Sequence, residues 1–307
     1  MSINQVYYLI KPLIPRRLQL FLRKQLIRAR YLKYASVWPI DRKSAELPED
    51  WSGWPENKTF AFVLTHDVDT PFGQDKCTPL MQLEMELGFK SAFNFIPERY
   101  DNSVTLKQVL RKNGFEIGVH GLNHDGRLYL TKSTFQDRAG KINRYIKAWQ
   151  AVGFRSPAMH HNLDWIHDLD ILYDSSTFDT DPFEPQSDGV RTIFPFFVRN
   201  QNSKSGYVEM PYTLPQDFLI FVLMKEQSCR IWKTKLDWIA KKGGMALLNV
   251  HPDYICFDCN NMGREEFDKK YYVEFLSYVK ERYQGKYWHV LPRELAAFWK
   301  QNRKIDI

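Results

Sequence analysis

From residue 60 onward, apolar, β-branched or aromatic runs recur: Phe60–Leu64, Ser91–Ile96, Phe115–Val119, Phe154–Arg155, Ile171–Tyr173, Thr192–Val198, Tyr207–Met210, Met245–Val250 and Tyr287–Leu291. Short runs of this kind predict buried strands. Between many of them, Thr78–Leu87, Val104–Lys112, Thr131–Ala151, Lys233–Lys242 and Arg264–Arg282 mix apolar and charged residues at helical spacing, several closed by glycine. Strands alternating with helices predict a parallel sheet, and seven or eight such units predict a closed or nearly closed α/β barrel. Function in such a barrel gathers where strands end and loops begin. The stretch Phe178–Gly206, with Pro182, Pro185 and Pro195, fits neither period and is expected to cross the barrel mouth.

A different pattern precedes the barrel. From Arg16 to Tyr34, Leu18, Leu22, Leu26 and Ala29 recur at helical spacing with Arg and Lys between them, directly after Pro15. This apolar face needs a partner, either the barrel itself or the surface of an anionic membrane. Pro48, Gly53, Pro55 and Asn57, with Trp51 and Trp54, mark a connection. The expected organisation is therefore a basic amphipathic extension and linker over residues 1–57 and one barrel domain over 58–307. A chain of 307 residues suits one such domain with an extension.

Charge sharpens this division. The net charge is +7, but residues 1–45 hold ten Lys or Arg, from Lys11 to Lys43, against the single acid Asp41. Everything after residue 45 carries 33 basic and 35 acidic residues. The basicity belongs to the extension, which argues against nucleic acid as a partner of the barrel and points to peripheral contact of residues 1–45 with an anionic membrane. Cys77, Cys229, Cys256 and Cys259 are too few and scattered for a disulfide framework, and the lone C-x-x-C lacks the second pair of a structural zinc site. Lys11, Pro12 and Pro15 interrupt the apolar run that starts at Val6, so no signal-peptide pattern forms. A cytoplasmic location is expected, either free or peripheral at the inner face of the membrane.

The residues capable of chemistry sit at predicted strand ends. Thr65-His-Asp-Val-Asp-Thr70 follows the first strand, and two carboxylates one residue apart face the same way in extended chain. Such a pair is either an exposed acidic turn or a site where a cation offsets the repulsion. Phe115–Val119 runs into His120, with His124 four residues later, a spacing that on a helical turn lets two imidazoles share an ion. Two histidines and one carboxylate make a three-ligand zinc site with a position open for water, and the second aspartate is then free to act as base. Arg155 in Gly153-Phe-Arg-Ser-Pro157 can clamp a carboxylate, or serve a structural ion pair. His251, after the apolar strand Met245–Val250, can protonate a departing amine, or cap a helix.

In this order the motifs Thr65-His-Asp-Val-Asp69, His120-Gly-Leu-Asn-His124, Arg155-Ser-Pro157, Tyr173-Asp-Ser-Ser176 and Leu248-Asn-Val-His251 resemble the NodB-like polysaccharide deacetylases, carbohydrate esterase family 4, over about residues 58–295. The resemblance implies a distorted TIM-like (β/α)7 barrel behind a helical N-terminal extension, and a metal-dependent hydrolase that removes an N-acetyl group from a sugar or glycan. It makes Asp67 the general base, Asp69, His120 and His124 the ligands of Zn2+ or a similar ion such as Co2+, Arg155 the residue that orients the base, and His251 the general acid. The backbone N–H of Ala158 would meet the oxyanion. Where the family most often has two adjacent aspartates, Val68 separates them here, so base and ligand are exchangeable between Asp67 and Asp69. The D-x-D branch also resembles hydrolases of small cyclic amides, which leaves a non-sugar amidase, or a non-catalytic carbohydrate-binding barrel, as alternatives. Asp174 is expected either to orient His251 or to cap a helix.

Overall fold

The structure is a computed structural model and describes residues 14–49, 51–201 and 205–302. Val6, Lys11 and Pro12 of the extension therefore lie outside the described residues, as does the side chain of Cys259.

The elements in chain order are α1 (Arg16–Tyr34), β1 (Phe60–Val68), α2 (Pro71–Asp75), α3 (Cys77–Leu87), β2 (Ala92–Phe95), α4 (Val104–Lys112), β3 (Glu116–His120), α5 (Lys132–Ala148), β4 (Gly153–Arg155), β5 (Tyr173–Asp174), β6 (Phe196–Arg199), β7 (Gly206–Glu209), α6 (Arg230–Lys242), β8 (Met245–Asn249), β9 (Ile255–Cys256), β10 (Phe267–Asp268), α7 (Lys270–Arg282), β11 (Tyr287–His289) and α8 (Pro292–Asn302). β1 is the hub of the sheet. Its residues Ala61–Thr65 pair in parallel with β8 on one edge, while β11 and then β2 occupy the other. From β2 the sheet continues in parallel through β3, β4, β5 and β7, and β6 adds antiparallel to β7.

Closure comes from the segment after β7. Tyr212 bridges Phe178, and Leu214 bridges Leu248 of β8. Thr213 and Leu214 both donate their backbone N–H groups to the carbonyl of Leu247. The parallel strands β8, β1, β2, β3, β4, β5 and β7 thus curl into a distorted barrel with its ends joined. Continuous burial of Phe60–Val68 reflects this position, since the inward face of β1 meets the barrel interior and the outward face meets helices. At the end where β1 and β8 begin, the rings of Trp51, Trp54 and Trp299 pack together in edge-on and tilted pairs, and the Trp54 indole N–H donates to Gly243 O at 2.7 Å. Asp67, Asp69, His120, Arg155 and His251 lie at the opposite end, where the strands finish.

Two expected elements differ. The helix expected from Arg264 starts only at Lys270, because Phe267–Asp268 pair with Ile255–Cys256 as a separate two-stranded sheet. Within Thr192–Val198 only the second half is strand, since Ile193 instead joins Ser44 and Met245 through backbone hydrogen bonds. Cys77, Cys229 and Cys256 are buried free thiols.

α1 lies against the barrel by one narrow face. Ile27 packs with Trp38, Phe183, Leu219 and Leu223, and Leu20 and Tyr34 flank it. These residues are not the stripe Leu18, Leu22, Leu26 and Ala29 that the periodicity singles out, which points away from the barrel. No helix among the described residues is long and apolar enough to cross a membrane.

Candidate metal centre and active site

β1 remains extended four residues past the expected end at Leu64, and this decides what its side chains do. Alternation sends His66 outward, where Nε2 meets Glu84 Oε1 of α3 at 2.8 Å and Nδ1 meets Val250 O at 2.8 Å. His66 is thus a buried structural residue. Thr65 and Asp67 turn inward, and Asp69, just beyond the strand, follows on the same side.

Asp67 is held on both oxygens. Oδ1 accepts from Asn94 Nδ2 at 2.9 Å and from Arg155 Nη1 at 3.3 Å, and Oδ2 accepts from Asn249 Nδ2 at 2.9 Å. Burial pushes its pKa up, but His120 when protonated, Arg155 and His251 together outweigh burial and hold it at about 2. Arg155 is fully buried and spends its donors on Ser175 O, Ser175 Oγ, Thr65 Oγ1, Asn249 Oδ1 and Asp67. Space for Asn94 exists because Gly118 on β3 has no side chain, as a Cβ there would lie 2.1 Å from Asn94 Oδ1.

Asp69 Oδ1 stands 3.5 Å from His120 Nε2 and 3.4 Å from His124 Nε2. These three residues form a group able to hold a metal ion. Two donors each about 2.0–2.2 Å from a tetrahedral zinc lie about 3.4 Å apart, so the spacing fits. Asp69 Oδ1 is also buried and accepts no hydrogen bond among the described residues, a costly condition for a carboxylate unless a cation takes the lone pair. The imidazoles are prepared for the same task. His120 Nδ1 lies 3.0 Å from Arg155 O, and since a carbonyl can only accept, Nδ1 carries the proton and Nε2 presents a lone pair. Burial holds the His124 pKa down at about 4, against the pull of Asp69, so its ring is neutral near pH 7.

The i, i+4 spacing of the two histidines does not act through a helical turn. His120 ends β3, Gly121 (φ 61°) and His124 (φ 53°) adopt left-handed backbone, and the tight loop folds the second ring to 5.4 Å from the first. The Asp69 loop is tethered by Asp253, whose carboxylate accepts from Asp69 N at 2.9 Å and from Thr70 Oγ1.

His251 follows β8 and shares the cavity with Asp67 and both metal-facing histidines. Its Nδ1 lies 2.7 Å from Asp217 Oδ1, and its backbone N–H donates to Asp217 Oδ2 at 2.9 Å. Burial pulls the His251 pKa down, but Asp217, with Asp69 and Asp67 adding to it, raises it to about 10. The charged ring then contributes to stability fully below the ordinary imidazole pKa of about 6.5, and that contribution fades as pH rises toward 10. Asp217→Asn is expected to bring the His251 midpoint down by at least about one unit toward the ordinary value, read by NMR of the imidazole nitrogens. An unmoved midpoint would show that Asp217 is not the controlling charge.

Asp174 does neither of the things expected of it. It is buried beside β4 and β7, accepts from Ser176 Oγ at 2.6 Å, and neighbours Glu209, whose carboxyl burial pushes well up. The Asp174 carboxylate is taken up by the Ser176 N–H and hydroxyl, and Asp217 fills the place beside His251.

Asn94, Asp217 and Asp253 carry no signal strong enough for a role to be assigned from sequence. Asn94 could have been suspected as the single amide inside an apolar strand, in register with Asp67. Asp217 and Asp253 reach the site from segments with no periodicity.

Ala158 and Met159 line the cavity and both have φ of 54°, an uncommon state for residues with a Cβ that persists where the surroundings enforce it. The cavity proper has a volume of about 110 Å3, walled also by Phe183, Phe218 and Tyr254. It adjoins an outer cavity of about 810 Å3 through Asp69, His124, Tyr254 and Arg16, a size in the range of small-molecule sites.

No protein-family model matches this sequence, and no curated protein does. Solved structures do. A Mycobacterium smegmatis protein assigned as a polysaccharide deacetylase superposes with a TM-score of 0.60 at 17% identity, covering 83% of this chain and 95% of that one. A Pseudomonas aeruginosa PAO1 protein assigned to the same activity gives 0.61 at 13% identity, with coverages of 86% and 98%. The Puue allantoinase gives 0.63 at 12% identity, with coverages of 86% and 98%. The seven parallel strands, the closure through Leu214 and these superpositions together give this chain the barrel fold of the NodB-like polysaccharide deacetylases.

Proposed function

We propose that this chain is a metal-dependent hydrolase that removes an N-acetyl group from a sugar, in surface-polysaccharide or lipid-linked glycan synthesis. Its chief support is the buried, unpartnered Asp69 Oδ1 held between two imidazoles, in a cavity that Asp67 and His251 also line. The likeness in fold to proteins assigned as polysaccharide deacetylases favours a sugar as the amide's carrier.

Asp69, His120 and His124 would hold a divalent transition metal such as zinc or cobalt, which would supply Lewis acidity at the acyl group. Asp67 takes the proton of the water that adds to the acetamide carbonyl. Asn94, Arg155 and Asn249 keep its carboxylate ionised and aimed, so no reorganisation is needed at the moment of transfer. The backbone N–H of Ala158 meets the charge that develops on the acyl oxygen. His251, charged because Asp217 sits against Nδ1, gives its Nε2 proton to the departing amine. Phe183, Phe218 and Tyr254 wall the cavity that would receive the sugar.

Metal-loaded protein incubated with N-acetylated sugars, free, nucleotide-linked and lipid-linked, is expected to yield products lighter by one acetyl group in mass spectrometry. Bound metal without any acetyl loss would overturn the reading. Asp69→Asn is expected to weaken metal binding by at least about 100-fold, measured by metal analysis after dialysis. Full retention would return the ligand role to Asp67. The likeness to an allantoinase supports a second reading, a small cyclic amide as substrate, and turnover of cyclic amides with none of acetylated sugars would favour it.

A further inference from the structure

Six of the eleven exposed large hydrophobic side chains among the described residues sit on one helix, α1. Leu18, Phe21, Leu22, Leu26 and Leu32 are 46–84% exposed, whereas Ile27, on the other side of the same helix, is 6% exposed. At 100° per residue these five positions and Ala29 form one stripe, opposite the face formed by Leu20, Arg23, Ile27 and Tyr34 that packs on the barrel. Monomeric proteins rarely present a continuous apolar stripe to water without a use for it.

The charge on α1 identifies what covers that stripe. The helix carries seven Lys or Arg and no acid, with Arg17, Arg28 and Lys33 exposed beside the apolar positions. A second copy of the helix would bring seven cations against seven. An anionic bilayer offers hydrocarbon for the leucines and phosphate for the cations, which is the pattern of a helix lying in the membrane interface. We propose that the outward stripe of α1 docks this protein on an anionic membrane surface while its inward face walls the catalytic cavity.

The inward face reaches the site directly. Arg16 and Arg23 line the cavity and lie over the Phe218 ring at 5.7 and 5.2 Å, and Arg16 Nε is anchored to Glu265 at 3.0 Å. The cavity therefore stands one helix diameter, about 10–12 Å, from the docked surface. If the deacetylase reading holds, on which this clause rests, that spacing suits an acylated sugar still attached to a membrane lipid.

The experiment is co-sedimentation of the full-length protein with phosphatidylglycerol-rich and pure phosphatidylcholine vesicles at 0.15 M and 1 M salt, alongside Phe21→Ser/Leu32→Ser. The two substituted side chains are exposed and make no cavity contact, so the thermal midpoint and turnover of a soluble substrate should stay those of the parent. Binding is expected on the anionic vesicles only, to weaken in 1 M salt, and to fall at least about tenfold in the variant. Equal sedimentation of parent and variant would overturn the proposal. So would a concentration-dependent dimer in light scattering that the substitutions dissolve, since a second copy would then be the occupant. Vesicle binding is read without catalysis, so an inactive protein that still binds would fail the deacetylase reading alone.

Discussion

Asp67→Asn is expected to keep the fold and the metal and to lose turnover by about 10²–10⁴-fold, the range that a positioned general base supplies. Asparagine has the same shape and keeps one oxygen as acceptor for Asn94 and Arg155, while its NH2 in place of Oδ2 costs the Asn249 amide its acceptor, and Asp69, His120 and His124 keep their spacing. What disappears is the negative charge and the lone pair that takes the proton. The stability cost should stay within about 1–3 kcal/mol, because Arg155 retains the Ser175 and Asn249 contacts that compensate its burial. Single-turnover kinetics on metal-loaded protein, with metal content measured on the same sample, makes the comparison. Turnover within tenfold of the parent, or loss of the metal instead of activity, would exchange the roles of Asp67 and Asp69.

The largest stability effect is expected at a buried ion pair outside the metal-binding group. Lys235 of α6 and Asp179 form an ion pair at 2.8 Å with side chains 1% and 0% exposed. Lys235→Met keeps most of the volume and removes the counter-charge, leaving a buried carboxylate with the Asp181 carboxyl close by, so the loss at pH 8 should be about 3–5 kcal/mol. Burial outweighs Lys235 and holds the Asp179 pKa up at about 6, and without the lysine it rises further. A protonated carboxyl needs no counter-charge, so the cost should shrink as pH falls toward about 6 and stay small below it. Urea unfolding at pH 8 and pH 5 reads both effects. A loss under 1 kcal/mol at pH 8 would mean that water or another group compensates Asp179.

Much of this molecule was legible in residue order. The strand cores Phe60–Leu64, Ser91–Ile96 and Met245–Val250 were visible because buried parallel strands are apolar on both faces. Val104–Lys112 matched its helix residue for residue, since Ser103 caps one end and the amphipathic period runs without interruption. Polar groups set immediately after apolar strands marked Asp67, Asp69, His120, Arg155 and His251 as neighbours, because parallel strands of a barrel end on the same side. Periodicity also exposed the stripe on α1.

What residue order could not convey were facts about distance across the barrel. Asp217 lies 34 residues from His251, on a segment without a readable period, and only folding brings its carboxylate to Nδ1. Nothing local distinguishes it from Asp174, which is buried elsewhere. The apolar stripe of α1 was visible, but which side of the helix met the barrel depended on where Phe183, Leu219 and Leu223 come to rest. Sequence sets the period of a side chain, which is a local property of the backbone. Partners are set by packing between segments far apart in the chain, and the tertiary structure alone decided that Asp217 holds His251 and that Leu18, Leu22 and Leu26 of α1 face outward.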